Sequence, residues 1–185
     1  MKRIYLPAVE LLKFEDLGIF LIWFASQPMA RMSMARLQKT APLHPRKLGA
    51  MLRLLEQFAF VQKEPDAVSI SSSGLKFCRA EQAIRKAMVR NQFLTVWPIV
   101  PILSQLDASG AGFLSKREVF EVLKEGTSSQ ITDQIVTGVM TWGHCCELFR
   151  FDRIKQGICR EVIKRSLPSG ALAEFEYFTQ NSVQF

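Results

Sequence analysis

Two helices followed by a β-hairpin form a pattern that occurs twice in this chain of 185 residues. In the first copy, a short helix after Ser33 precedes a helix that begins at Pro45, and two short strands follow. In the second copy, a helix after Ser115 precedes a helix that reaches Trp142, and two strands follow again. Such a repeat constrains the fold, because each copy must bury its helices against its own hairpin or against the other copy.

The order of elements in each copy is that of a winged helix. We therefore predict a mainly α fold with small β-hairpins, an α+β class with tandem winged-helix architecture. The predicted division places the first winged-helix domain and a linker helix in residues 1–92, the second winged-helix domain in residues 93–166 and an aromatic tail in residues 167–185. Domains of this type bind and position other molecules and rarely perform chemistry.

Composition indicates a globular chain that does not enter a membrane. Hydrophobic residues make up 48% of the sequence and charged residues 22%, which is ordinary for a protein with a packed core. The longest apolar run, residues 17–25, is far shorter than the roughly 20 residues that cross a bilayer. We expect a cytoplasmic protein whose four cysteines are reduced.

Positive charge is concentrated in the first copy. Residues 1–92 contain 15 Lys and Arg against 7 Asp and Glu, a net charge of +8, whereas residues 93–185 contain 9 against 10, a net charge of −1. Within residues 29–55 there are six cations and no carboxylate, namely Arg31, Arg36, Lys39, Arg46, Lys47 and Arg53. Such a stretch is typical either of a solvated helix face or of a surface that contacts phosphates.

The helix after Pro45 has the pattern of a buried stripe backed by a polar one. The predicted buried positions are Leu48, Met51, Leu52, Leu55 and Phe58. The predicted outer line is Arg46, Ala50, Arg53 and Gln57, which would suit a helix that reads the major groove of DNA. Together with Lys47 and with Lys63 on the wing, Arg46, Arg53 and Gln57 are the candidate DNA-binding residues. The alternative is a polar face that touches only water.

Residues that typically begin or end helices and strands predict the remaining elements. A first helix is expected over residues 10–26, wing strands over residues 60–63 and 67–70, and a long helix from Ser72 or Ser73 to Asn91 with Ile84 facing inward. In the second copy, Ser115 and Glu118 form a capping box, and Gly126 ends the helix that they begin. The next helix turns Asp133, Gln134, Thr137 and Thr141 outward without any basic residue, which favours a neutral protein contact over DNA.

Residues 137–152 resemble a known family signature. The run around Trp142 is similar to the Trp-Gly-x-x-x-Glu-Leu-Phe element of the AAA-associated domain at the C-terminus of ABC transporter ATP-binding proteins of the nitrate and sulfonate import type. The matching positions are Trp142, Gly143, Glu147, Leu148, Phe149, Phe151 and Asp152. A weaker likeness covers residues 55–60 and 70–77, where Phe58 and Ala59 replace the family's usual Leu-Gly, a change that we attribute to packing.

The resemblance implies a regulatory or interaction module, since family members are attached to a nucleotide-binding domain. The chain contains no phosphate-binding Gly-x-x-x-x-Gly-Lys-Ser/Thr loop. None of the residues that carry the resemblance is implied to be catalytic. Whether it is a standalone protein or an excised domain stays open. We expect no enzyme activity and no cofactor.

Cysteine and histidine residues near the signature could indicate a metal-binding site, an interpretation that we do not favour. His144, Cys145 and Cys146 are consecutive, and adjacent cysteines cannot easily reach one ion in the usual tetrahedral arrangement, even with Cys159 as a further ligand. Packed thiols are the simpler interpretation, so we predict no metal site.

Two functional hypotheses follow from these observations. The first is a non-enzymatic module that binds protein, either an ABC-type ATPase or a second copy of itself as a homodimer, through the second copy and the aromatic tail at Phe175, Tyr177, Phe178 and Phe185. The second is a transcriptional regulator that binds double-stranded DNA through the basic first copy.

Overall fold

The computed structural model describes residues 2–3, 10–28, 30–125 and 130–160. The helices are α1 (Phe14–Ala25), α2 (Met34–Thr40), α3 (Pro45–Gln57), α4 (Ser72–Arg79), α5 (Gln82–Phe93), α6 (Ile99–Ala108), α7 (Lys116–Glu125) and α8 (Asp133–Cys145). The strands are β1 (Lys2–Arg3), β2 (Arg31–Ser33), β3 (Val61–Lys63), β4 (Ala67–Ile70), β5 (Val96–Trp97), β6 (Phe113–Ser115), β7 (Phe149–Asp152) and β8 (Gly157–Arg160). The predicted mainly helical α+β class is confirmed. Gly126 and the tail at residues 167–185 lie outside the described residues.

The same order of elements appears in two stretches of the chain. The first unit, residues 14–70, runs α1-β2-α2-α3-β3-β4, and the second unit, residues 99–160, runs α6-β6-α7-α8-β7-β8. Each unit has an antiparallel three-stranded sheet with its last strand in the middle, in the orders β2-β4-β3 and β6-β8-β7. The sequence predicted the two hairpins but not the three-residue strands β2 and β6, nor the parallel pairing of β1 with β5.

Equivalent helices of the two units are capped at equivalent positions. The Ser33 hydroxyl accepts a hydrogen bond from the Arg36 amide at 3.3 Å, and the Ser115 hydroxyl accepts one from the Glu118 amide at the same distance. The Glu118 carboxylate in turn accepts from the Ser115 amide at 2.7 Å, which completes the predicted capping box. These caps fix where α2 and α7 begin.

A shared turn ends α3 and α8. The Phe60 amide donates to the Leu55 carbonyl at 2.9 Å, and the Leu148 amide donates to the Gly143 carbonyl at 3.0 Å, the long bond of a Schellman motif. The residue before each donor has a left-handed backbone: φ is 56° at Ala59 and 58° at Glu147. Glycine is the unstrained residue there. Ala59, which stands where the family usually has glycine, therefore adopts a backbone conformation that is strained for alanine, and the change concerns more than packing.

The buried face of α3 is wider than predicted. All five predicted inward positions are buried, but Ala50, predicted to face outward, is only 4% exposed. Ala50 and Leu54 extend the apolar face around the helix, so the exposed line consists of Arg46, Gly49, Arg53 and Glu56. The prediction that Ala50 lies on an outer line facing DNA is wrong.

The predicted long helix is two helices. The chain bends at Ala80, whose backbone is extended, and α5 begins two residues later. The Arg85 guanidinium donates to the carbonyls of Phe77 and Cys78 at 3.0 and 2.8 Å, which satisfies the last turn of α4. Because the bend changes the orientation of α5, Ile84 is exposed instead of facing inward.

The most apolar helix, α1, is 12 residues long and buries Leu17, Phe20, Leu21 and Phe24. Nowhere in the described part of the chain does a helix combine the length and apolar character that a bilayer crossing requires.

The buried side chains of both units form one connected core. Its centre is a line of three aromatic rings: Phe93, at the end of α5, packs with its ring centroid 5.3 Å from that of Phe58 and 5.7 Å from that of Trp142. Helix α5 therefore packs against the C-terminal ends of both α3 and α8. The two units share hydrophobic stabilisation across this line.

Candidate functional site

Trp142 joins three parts of the chain. Its side chain is buried, and its indole N–H donates to the Leu12 carbonyl at 3.0 Å. The Phe14 ring packs edge-on against the indole at a centroid distance of 5.5 Å, while Phe93 packs from α5. We call residues 10–15 the leading segment. Trp142 therefore holds the leading segment, which runs into α1 of the first unit, on α8 of the second unit.

Gly143 leaves room for an aromatic ring. A Cβ atom at this position would lie 2.0 Å from Cζ of Phe149 and 2.6 Å from two further ring carbons. The Phe149 side chain is fully buried, so the ring has no solvent to move into. Only glycine fits between α8 and β7 at this point.

The remaining signature residues bind the second unit to α5 and close the hairpin between β7 and β8. The Glu147 carboxylate lies 3.3 Å from Nζ of Lys86 and 3.9 Å from the guanidinium of Arg90, both on α5. Leu148 and Phe151 pack against the core. The Asp152 carboxylate accepts from the amides of Lys155 and Ile154, and these bonds hold the pKa of Asp152 below its usual value. Trp142 and Glu147 thus join the second unit to the leading segment and to α5, whereas Gly143, Phe149 and Asp152 stabilise the second unit itself.

A cleft of about 610 Å³ lies beside this joint, between the leading segment and the outer face of α8. Its lining consists of Glu10, Leu12, Lys13, Phe14, Glu15, Asp133, Gln134, Thr137, Gly138, Thr141, Trp142 and Cys145. The four residues predicted to face outward from α8 are all among them. Its volume falls within the ~300–1,000 Å³ typical of sites that bind ligands.

Carboxylates from the leading segment give the cleft a charge that α8 alone does not have. Glu10, Glu15 and Asp133 face one cation of the lining, Lys13. Asp133 is paired with Lys116 at 2.7 Å, whereas Glu10 and Glu15 make no ion pair within the described residues. The outer face of α8, predicted to offer a neutral surface, therefore borders an acidic cleft.

Comparison with known proteins identifies the family. The family model of the C-terminal AAA-associated domain matches residues 35–152. The chain belongs to this family. The comparisons of this chain with curated proteins and with solved structures gave no match. The matched range ends at Asp152 and so contains all seven signature residues.

The basic surface of this AAA-associated domain is less uniform than its sequence predicts. Arg46 and Arg53 lie on the exposed line of α3, and Lys63 is exposed on β3. Lys47, in contrast, points toward α1 and lies 3.5 Å from the Asp16 carboxylate, while Gln57 is half-buried. The structure brings together only part of the predicted set.

The other three cations of the predicted basic stretch differ in their surroundings. Arg31 forms an ion pair with Glu64 on the wing, so a carboxylate from outside the stretch neutralises it. Arg36 and Lys39 on α2 are exposed, and they form no ion pair with any carboxylate of the described residues. Arg46 on α3 is also exposed and forms no ion pair with a carboxylate of the described residues. These three side chains are available to an anionic partner.

Three of the four thiols lack the surroundings of a nucleophile. Burial raises the pKa of Cys78, Cys145 and Cys146, which keeps these thiols protonated at neutral pH. Cys78 donates weakly to the Leu21 carbonyl at 3.4 Å. Within residues 10–160 as far as they are described, no group of three His, Cys, Asp or Glu side chains is arranged to hold a metal ion.

Sequence patterns did not reveal the role of the leading segment. Leu12 and Phe14 contact Trp142 across 130 residues of sequence, a distance that helix periodicity cannot bridge. One signal was present, because a buried indole N–H needs an acceptor. The sequence could not say which carbonyl supplies it.

Proposed function

We propose that the chain is a non-enzymatic regulatory module of tandem winged-helix architecture that binds a protein, an ABC-type ATPase. The family match over residues 35–152 carries this proposal. The resemblance of the signature to domains carried by ATP-binding subunits of nitrate and sulfonate importers indicates the class of partner. The signature residues make contacts within the chain, either at the joint or inside the second unit, so the partner would contact other parts of the surface.

The order of elements supports the architectural part of the proposal. Each unit places a strand before its second helix and a hairpin after its third, as a winged helix does. The protonated thiols support a module without nucleophilic chemistry. A binding role also agrees with the cleft and with the exposed cations of α2 and α3.

Association with an ATP-binding subunit of the nitrate and sulfonate import class tests the proposal. We expect the full chain and the subunit to elute together with the mass of a complex, and the ATPase rate of the subunit to change at least twofold. Light scattering measures the mass, and phosphate release measures the rate. An ATP-binding subunit from a different import class is the control. If the two proteins elute separately at tens of micromolar, the proposed function is wrong; a doubled mass of the chain alone would indicate a homodimer instead.

Double-stranded DNA is the second candidate partner, favoured by the exposed cations Arg36, Lys39 and Arg46. Arg46 and Arg53 lie one above the other on α3 and would face the phosphates or bases of a major groove. Glu56 on the same line opposes this, because a carboxylate repels phosphate. The proposal of a protein partner therefore ranks first.

A salt titration with a DNA duplex tests the second candidate. If DNA is the partner, affinity falls steeply between low and moderate salt, and replacing both Arg46 and Arg53 with alanine weakens binding more than tenfold. The matched control replaces Arg117 and Arg153, two exposed arginines of the second unit, and leaves binding unchanged. No binding at low salt, or an equal loss in both double variants, would rule out a DNA site on α3.

A further inference from the structure

We propose that the cleft between the leading segment and α8 binds a basic, partly apolar peptide segment of the partner protein. This inference rests on the proposed function and specifies which surface makes the contact and what chemistry it recognises. The cleft is built from parts of the chain that are far apart in sequence, and Trp142 holds them together through the 3.0 Å bond to Leu12.

The interior of the cleft offers apolar contact. Phe14 and the Cys145 thiol, both half-buried, supply the accessible apolar surface and lie over the buried side chains of Leu12 and Trp142. Phe14 is half-buried, so part of its ring faces the open space. Thr137 and Thr141 donate their hydroxyl hydrogens to carbonyls of their own helix at 2.9 and 2.8 Å. The threonines therefore present methyl groups and acceptor oxygens to a ligand, and no donor.

The charge of the cleft selects a cationic ligand. Glu10 and Glu15 form no ion pair among the described residues, and these two carboxylates outnumber Lys13, the cation of the lining. The threonine oxygens add further acceptors. A lysine or arginine side chain finds both a carboxylate and an apolar wall for its methylene groups here.

Binding of a blocked hexapeptide of alternating lysine and leucine to the full chain tests the site. Titration followed by amide chemical shifts is expected to move the signals of Thr137, Gly138, Thr141 and the Trp142 indole. The glutamate and leucine counterpart is expected to leave them in place. Thr141→Arg, which puts a cation into the cleft, is expected to weaken binding at least tenfold, and Glu15→Gln at least threefold.

Two matched controls separate the cleft from general charge effects. Thr40→Arg places the same cation at an exposed threonine of α2 that also donates to its own helix, and Glu56→Gln removes an exposed carboxylate from α3. Both are expected to bind the peptide like the unchanged protein. Equal losses in variants and controls, or shifts confined to other residues, would overturn the cleft proposal.

The two proposals can fail separately. If the ATP-binding subunit binds the chain and Thr141→Arg leaves that association unchanged, the proposed function stands and the cleft is not the contact surface. If the lysine and leucine peptide binds in the cleft while no ATP-binding subunit associates, the cleft proposal stands and the ATPase is the wrong partner.

Discussion

Trp142→Ala is expected to lower the free energy of unfolding by about 4 kcal/mol, the range for removing a large aromatic side chain from a core. The buried indole contacts Phe14 and Phe93 and satisfies the Leu12 carbonyl. Its loss therefore opens a cavity and removes a hydrogen bond at the same time. Denaturant unfolding followed by circular dichroism measures the change. Since domains are stable by only about 5–15 kcal/mol, a loss of this size removes between about a quarter and most of the total stability.

A smaller substitution isolates the hydrogen bond. Trp142→Phe keeps an aromatic ring but removes the N–H donor, and we expect a loss of about 1–3 kcal/mol with faster amide hydrogen exchange in residues 10–15. Trp23→Phe is the control, since the half-buried Trp23 indole makes no hydrogen bond within the described residues. Unchanged exchange in the leading segment of Trp142→Phe would show that Trp142 does not hold it.

Gly143→Ala is expected to destabilise the fold by about 2 kcal/mol or more. The added methyl would lie 2.0 Å from the ring of the fully buried Phe149, so the ring or α8 has to move. Such overpacking costs ~1–3 kcal/mol or more, and this cost exceeds the gain of about 1 kcal/mol that alanine brings to a helix interior. We expect the Tm to fall by roughly 4–8 °C.

Gly49→Ala is the matched control, because it makes the same substitution in a helix of the same length. Gly49 is exposed on α3, and no atom lies within 4 Å of the position that its Cβ would take. It is expected to gain about 1 kcal/mol from helix propensity alone. In addition, Phe149→Leu should partly restore Gly143→Ala. Equal Tm values for Gly143→Ala and the unchanged protein would contradict the steric explanation.

Local signals in the sequence predicted local structure well. Ser115 and Glu118, Pro45 and the buried stripe of α3 act over three or four residues, and the structure places each of them as expected. The split of α4 from α5 was missed because the Arg85 guanidinium caps the carbonyls of Phe77 and Cys78, which is a tertiary contact. The strands β2 and β6 were missed because three residues are too few to show a period.

The candidate site was predictable only in part. The outward residues of α8 follow from helix periodicity, and they all line the cleft. The opposite wall comes from the leading segment, and its carboxylates change the surface from neutral to acidic. Lys47 shows the same limitation on the basic surface, since Asp16 on another helix removes it from the predicted DNA-binding set. Composition locates charge along the chain but does not show which charges neutralise each other.

The Schellman turn that ends both α3 and α8 gives a residue-by-residue correspondence between the two halves of the chain. In that register Leu54 corresponds to Trp142, and Ala59 corresponds to Glu147. The backbone bonds of the turn are the same, so these two positions differ in side chain alone. In the second half, one of them binds the leading segment and the other binds α5. Two side chains at equivalent positions of one turn, different in each half, therefore account for contacts that only the second half makes with the leading segment and with α5.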